Sequence, residues 1–210
     1  MKTPGPDLTF EKALWQAGIS SVAGIDEAGR GALAGPVTAA AVILAANEKI
    51  DLRLEGVRDS KQMTPSQRHY WSGQIKEWAV TWGVGFASAE EIDQIGILPA
   101  TYLAAERALE ELKIAPDHLI LDYLFLSECV LPQTSLVKGD QRSLSVAAAS
   151  VLAKTTRDAF MIALNEQVPG YGFDRHKGYG TAFHCAALEK LGLSPAHRQT
   201  FHLHRGVNYV

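Results

Sequence analysis

Two carboxylates stand side by side in Gly24-Ile25-Asp26-Glu27-Ala28-Gly29-Arg30-Gly31, and the run continues through Ala34-Gly35-Pro36. Hard carboxylate oxygens suit Mg2+ or Mn2+, and an arginine close by suits a phosphate. Two other readings fit the same residues. One is a buried strand followed by a solvated acidic turn. The other is a phosphate-cradling P-loop, since Gly24 and Gly29 have G-x-x-x-x-G spacing. The P-loop fails in detail. Arg30 stands where its lysine belongs and Gly31 where its Ser or Thr belongs, and Asp26 and Glu27 would put negative charge inside a phosphate cradle. The solvated turn and the metal site both stand on local sequence alone.

The elements around these residues follow from pattern. Val22, Ala23 and Ile25 predict a buried strand over residues 21–27, with Gly29 and Gly31 at its end. Successive strand residues point to opposite faces. Asp26 and Glu27 can therefore share one centre only if the strand bends or stops there, which Ala28-Gly29 permits. Val37 to Ala45 reads as a hairpin partner, and Glu48 to Gly56 as a polar loop. Thr64, Pro65 and Gln67 predict a helix start, with the helix running to about Trp78. Val80 to Ala87 alternates as a strand. Ser88 to Glu91 caps a short helix ending near Gly96, and Pro99 opens a longer one whose apolar face is Leu103, Ala104, Leu109 and Leu112. Leu119 to Asp122 and Ser135 to Val137 are short strands. Ser143 caps a long helix through about Gln167, with small residues crowded at its start. Pro169 to Thr181 is a loop, and Thr181 starts a last helix stopping near Gly192. Strands alternating with helices after an antiparallel pair give a mixed α/β sheet with helices on its faces.

The totals narrow the class. The 210 residues fit one large domain, or one with a small appendage. A net charge of −3 is wrong for a general electrostatic nucleic-acid binder, so any positive binding surface must be local. No apolar run approaches a membrane span, and Met1 to Phe10 lacks a signal pattern, so a cytoplasmic location is expected. Cys129 and Cys185 make no metal or redox pattern. The spacing of His197, His202 and His204 fits no standard zinc set.

Asp122 ends a strand and Asp140 precedes a helix. Ligands of open α/β sheets bind beyond the carboxyl ends of the strands, so these acids can converge with Asp26 and Glu27. At this point the chain resembles the type 2 ribonuclease H family, in its bacterial ribonuclease HII branch. The resemblance runs from Gly24 to Phe201. It rests on GIDEAGRGALAGPV, Asp59-Ser60-Lys61, Glu91-Ile92-Asp93 with Ile97-Leu98, KGDQRSLSVAAASVLAKTTRD, HKGYGT and SPAHRQTF, all in order.

The resemblance implies a ribonuclease H-like mixed sheet flanked by helices. A single catalytic domain would span 1–210, with 181–210 a small C-terminal helical extension packed on it. It implies two divalent cations, Mn2+ or Mg2+, held by Asp26, Glu27, Asp122 and Asp140. It implies contact of Gly29-Arg30-Gly31 with the phosphate and 2′-hydroxyl at a ribonucleotide, and stacking of Tyr179 on the neighbouring sugar. The implied substrates are RNA/DNA hybrids and ribonucleotide-containing duplex DNA, cut 5′ of the ribonucleotide to leave 3′-hydroxyl and 5′-phosphate ends. Lys61 and Lys138 are further substrate contacts, and Lys154, Arg157, His176, Lys177 and Arg198 are candidates for backbone contacts.

Asp158, on the helix face beyond Lys154, reads as a structural ion-pair partner rather than a ligand, Ser143 and Ser145 as caps, and His197-Arg198 as an alternative pin for the tail. A monomer is the default, and no motif reads as a replication-clamp contact. Asp122 departs from the family pattern, which usually has glycine next; here Tyr123 follows. Gly96 and Ala105 also replace the residues usual in the family. Rival readings are another ribonuclease H-like nuclease that cuts all-DNA structures, and a non-catalytic nucleic-acid-binding module.

Overall fold

In a computed structural model of the protein, residues 5–47 and 49–201 are described. Five strands form one sheet: β1 (Val22–Ala28), β2 (Val37–Leu44), β3 (Ala79–Ala87), β4 (His118–Asp122) and β5 (Gln133–Leu136). Their order is β3-β2-β1-β4-β5. The first three pair antiparallel, whereas β4 runs parallel to β1 and β5 parallel to β4. The expected mixed sheet is observed.

Strand alternation divides the core. Ala40, Val42 and Leu44 of β2 face the long helix α6 (Leu144–Gln167) and α3 (Pro65–Trp78), with Ala147, Val151 and Ile75. Ala39, Ala41 and Ile43 face α5 (Ile97–Glu110), with Ala104, Ala105 and Ala108. On β1, Ala23 and Ile25 join the second cluster and Ala28 the first, which sets Asp26 toward α6.

Three local details differ from the pattern-based expectation. The helix expected from Pro99 starts at Ile97, and its sheet-facing stripe is Ala100, Thr101, Ala104, Ala105 and Ala108. These small side chains let α5 settle onto β2 and β3, leaving Leu103, Leu109 and Leu112 at the margin. The polar loop after β2 contains a one-turn helix, α2 (Ile50–Arg53), because Ile50 and Leu54 bury together on one face. The loop after α6 likewise contains α7 (Phe173–His176), anchored by the fully buried Phe173.

Expected caps are present. Thr64 at α3 and Ser88 at α4 (Ala89–Ile95) each complete a capping box, with Gln67 and Glu91 respectively. Ser143 caps α6 by accepting from the Val146 N–H at 3.3 Å. It also donates to Glu11 Oε1 at 2.6 Å, and Ser145 Oγ donates to the same oxygen at 2.6 Å. Ser145 thus holds Glu11 of α1 (Thr9–Gln16) instead of capping. Leu188 of the last helix, α8 (Ala182–Leu191), packs with Ala34, Met161, Tyr171 and Phe173. His202 and His204 lie outside the described residues.

Candidate active site

The two adjacent acids do not need a strand end. β1 continues past them in register with β2, Asp26 opposite Ala40 and Glu27 opposite Ala39. What ends is the pairing on the other side. The β1–β4 ladder stops at Ile25–Leu121, so the next residues, Asp26 and Asp122, stand where the two strands part. A gap between neighbouring strands is open to side chains from both faces, which lets consecutive residues serve one centre.

Asp122 closes β4, and its Oδ1 accepts the Gly139 N–H at 2.7 Å. Gly139 opens a 3-10 turn, Gly139–Gln141, which carries Asp140. The residue after Asp122 needs a left-handed backbone: Tyr123 has φ +57, and its N–H donates to the Leu136 carbonyl at 2.9 Å. A glycine would adopt this conformation without cost, whereas for tyrosine it costs about 1–2 kcal/mol. The departure from the family pattern therefore changes local strain and leaves the path of the chain intact.

The acids share one electrostatic field. Burial raises the Asp26 carboxyl well above its usual range, and Glu27 and Asp122 add to the rise, while a hydrogen bond with Ser150 opposes it. Burial also raises Glu27. Arg30, whose Nη1 donates to Glu27 Oε1 at 3.2 Å, pulls it back, and Asp122 pushes it up again. Asp140 is lifted to about 6 by burial and by Asp59 and Asp122, with Lys61 opposing. For Lys61, burial acts to lower the ammonium. The combined pull of Asp26, Asp140, Asp59 and Asp122 outweighs it and raises the group. Lys61 and Arg30 are thus counter-ions that the chain itself supplies to the cluster.

The residues fit divalent cations. Glu27 Oε2 is buried without a hydrogen-bond partner, an acceptor-only oxygen with no donor supplied by the protein. It sits among carboxylates whose proton affinities are raised first by burial and then by one another, beyond what Arg30 and Lys61 offset. Among the described residues, no group of three or more Asp, Glu, His or Cys side chains stands close enough to hold a metal ion, although Asp26, Glu27 and Asp122 act on one another electrostatically.

The turn after β1 has two unlike glycines. Gly29 has φ +93, and a Cβ there would strike the Arg157 side chain. Gly31 is exposed, and a Cβ there would meet no atom within 4 Å. The fold requires the first glycine. The second leaves open space on the outer side of the turn.

A family profile described as Ribonuclease HII matches residues 23–205. The chain is 52% identical over 200 residues to a ribonuclease HII of Synechococcus sp. (strain JA-3-3Ab), covering 95% of this chain and 90% of that protein. This chain belongs to the ribonuclease HII family. It is a hydrolase of the ribonuclease H type. Among solved structures, that of the PCNA:RNase HII complex from Archaeoglobus fulgidus has a TM-score of 0.72 at 25% identity, over 89% of this chain and 98% of that one. Bst-RNase HIII in complex with Mn2+ shares the fold, with a TM-score of 0.61 at 22% identity over 86% of this chain and 65% of that one.

With ribonuclease HII as the frame, the other sequence candidates sort by exposure. Lys61 and Lys138 are exposed at the site, Lys138 with φ +56 directly before Gly139. Tyr179 is half-buried, with the Arg157 guanidinium 5.4 Å and the Lys154 ammonium 5.6 Å from its ring. Lys154 Nζ pairs with Asp158 at 2.7 Å, so Asp158 is the ion-pair partner it was expected to be. Two expected backbone contacts are corrected. Arg157 and Arg198 are 0% and 1% exposed and cannot reach a nucleic acid. Both spend their donors on main-chain carbonyls, the pinning role that the tail residues were given as an alternative. His176 is also turned inward, its Nε2 2.8 Å from the Tyr171 carbonyl. His197 is buried, its Nε2 3.0 Å from His184 Nε2, in a neutral aromatic cluster.

Sequence reasoning passed over Ser150 and Asp59. Ser150 links Asp26 to Ser60, whose Oγ lies 2.9 Å away. Asp59 Oδ2 accepts from Gln141 Nε2 at 3.3 Å and presses on Asp140. Asp59 opens the Asp59-Ser60-Lys61 motif, which was its available signal. Ser150 had none beyond its place among alanines.

Proposed function

We propose that this ribonuclease HII hydrolyses the RNA strand of RNA/DNA hybrids and also cuts 5′ of single ribonucleotides embedded in duplex DNA. It would use two divalent cations, Mn2+ or Mg2+, held by Asp26, Glu27, Asp122 and Asp140. The observation that carries the reading is the unpartnered Glu27 Oε2 inside a four-carboxylate field, beside a turn with open space at Gly31. Bound cations supply Lewis acidity for the attacking water and the departing 3′ oxygen. The remaining work falls to the chain. Ser150 orients Asp26, and the Gly139 N–H orients Asp122. Arg30 carries a forked donor suited to phosphate and stands 3.2 Å from Glu27. Lys61 and Lys138 add positive charge where the strand would pass. The 2′-hydroxyl is what separates RNA from DNA locally, and Gly31 allows a sugar to come close.

A duplex carrying one ribonucleotide tests this directly. The expected result is a single cut 5′ of the ribonucleotide with Mg2+ or Mn2+, none with EDTA, and none by folded Asp26→Asn. Cleavage of all-DNA junctions instead would favour the rival nuclease reading. Binding without cleavage would favour a non-catalytic module.

A further inference from the structure

We propose that Arg198 is the positioning residue that turns two successive amides, those of Arg30 and Gly31, outward to read the substrate ribose and its phosphate. The inference rests on the proposed function and adds a residue about 170 positions away in the chain.

Arg198 is 1% exposed. Its Nη2 donates to the Gly29 carbonyl at 2.7 Å, its Nη1 to the Arg30 carbonyl at 2.8 Å, and its Nε to the Gly35 carbonyl at 3.0 Å. Arg157 sits beside it, donating to Pro36, Ala34 and Lys177 carbonyls at 2.8, 3.1 and 2.8 Å. No ion pair among the described residues involves either guanidinium. Burial and the Arg157 charge bring Arg198 down to about 9, so it remains a cation at neutral pH. The Arg198 guanidinium also lies 5.0 Å from the Phe201 ring, but its hydrogen bonds go to carbonyls, and burying two adjacent cations without an ion pair costs more than holding a tail with an apolar side chain. The expense becomes intelligible if the guanidinium sets the orientation of particular peptide groups.

Peptide geometry supplies that orientation. No bond here is cis, and in a trans peptide the N–H points opposite to the carbonyl. The Gly29 carbonyl is tied inward, so the Arg30 N–H points outward. The Arg30 carbonyl is tied inward to the same guanidinium, so the Gly31 N–H points outward as well. In a strand, consecutive amides would alternate. Here they face the same way and form a concavity for an anion or hydroxyl oxygen. Neither N–H has a backbone partner among the described residues, and the space around Gly31 is open. A cation on the carbonyl side also polarises both peptides and strengthens their N–H groups as donors. The segment is locked on either side of Arg198. His197 is fixed by Ser194 and His184, and Asp93 accepts from the Gln199 N–H, Thr200 N–H and Thr200 Oγ1 at 2.8, 2.9 and 2.6 Å.

The test uses Arg198→Lys, which keeps the charge and loses the fork. Wild type is assayed first for cutting at the single ribonucleotide; its failure there overturns the proposed function and this inference with it. With cutting established, affinities for duplexes with and without the ribonucleotide are compared in an Asp26→Asn background with Mg2+. Adding Arg198→Lys should lower the ribonucleotide preference about tenfold, with all-DNA affinity within twofold of its starting value. An unchanged preference in a folded variant overturns the role of Arg198 alone. If Arg198→Lys does not fold, amide hydrogen exchange on the Asp26→Asn protein with Mg2+ decides. The Arg30 and Gly31 amides should exchange at least about tenfold more slowly with the ribonucleotide duplex than with all-DNA. Equal rates overturn the proposal.

Discussion

Gly29 and Gly31 look interchangeable in the sequence, yet they answer to different demands, and substitution should separate them. Gly29→Ala combines a left-handed backbone with collision against Arg157 and should cost at least about 2 kcal/mol of stability in urea unfolding. Gly31→Ala should stay within about 0.5 kcal/mol of wild type, because nothing in the protein crowds it, while cleavage at a ribonucleotide falls. Equal destabilisation by both would contradict this division. Asp26→Asn should make the metal-free protein more stable by roughly 1–2 kcal/mol at pH 8, since it removes a buried, crowded charge, while abolishing any rise in Tm on adding Mn2+. The acids themselves were legible because carboxylates at strand ends and loops have few structural reasons to accumulate. Ser150 was not, because a hydroxyl on a buried helix face has many.

At the scale of elements, capping chemistry was legible where it is local. Thr64-Pro65-Ser66-Gln67 and Ser88-Ala89-Glu90-Glu91 encode their helix starts within four residues. The face that α5 turns to the sheet was not, because leucine periodicity reports apolarity, and the closeness of helix to sheet selects for small residues instead. Glu11 illustrates the same limit. Nothing near Thr9–Gln16 announces that its glutamate reaches Ser143 and Ser145, more than 130 residues on. There it accepts three hydrogen bonds on Oε1 at the positive end of α6. Glu11→Ala should therefore cost about 2 kcal/mol and loosen α1, read as a lowered urea midpoint and faster amide exchange in residues 9–16. An unchanged midpoint would remove this contact from the fold's support.

Across the whole molecule, the sheet order was only partly foreseeable, because strand adjacency between β1 and β4 is set by packing on α5 and α6. The buried histidines give the molecule a pH signature. Burial lowers His184 to about 4, with His176 and His197 adding to the effect and a hydrogen bond to the Tyr179 carbonyl opposing. An unfolded histidine titrates near 6.5, so below that value the unfolded chain takes up a proton that the folded one refuses. This contribution is complete above pH 6.5 and is lost as pH falls toward 4, roughly 3 kcal/mol in all. NMR of the His184 ring should show no titration until close to pH 4, together with declining urea midpoints over that window. A ring titrating near 6.5 would show the cluster to be solvated.

The hydrogen bond between Arg198 and the Gly29 carbonyl spans 169 positions. A ribosome therefore releases Gly29 long before Arg198, and the turn beside the acid pair gains this support only after the strands and long helix between them have been made. Until Arg198 is added, a nascent polypeptide holds that turn without its guanidinium.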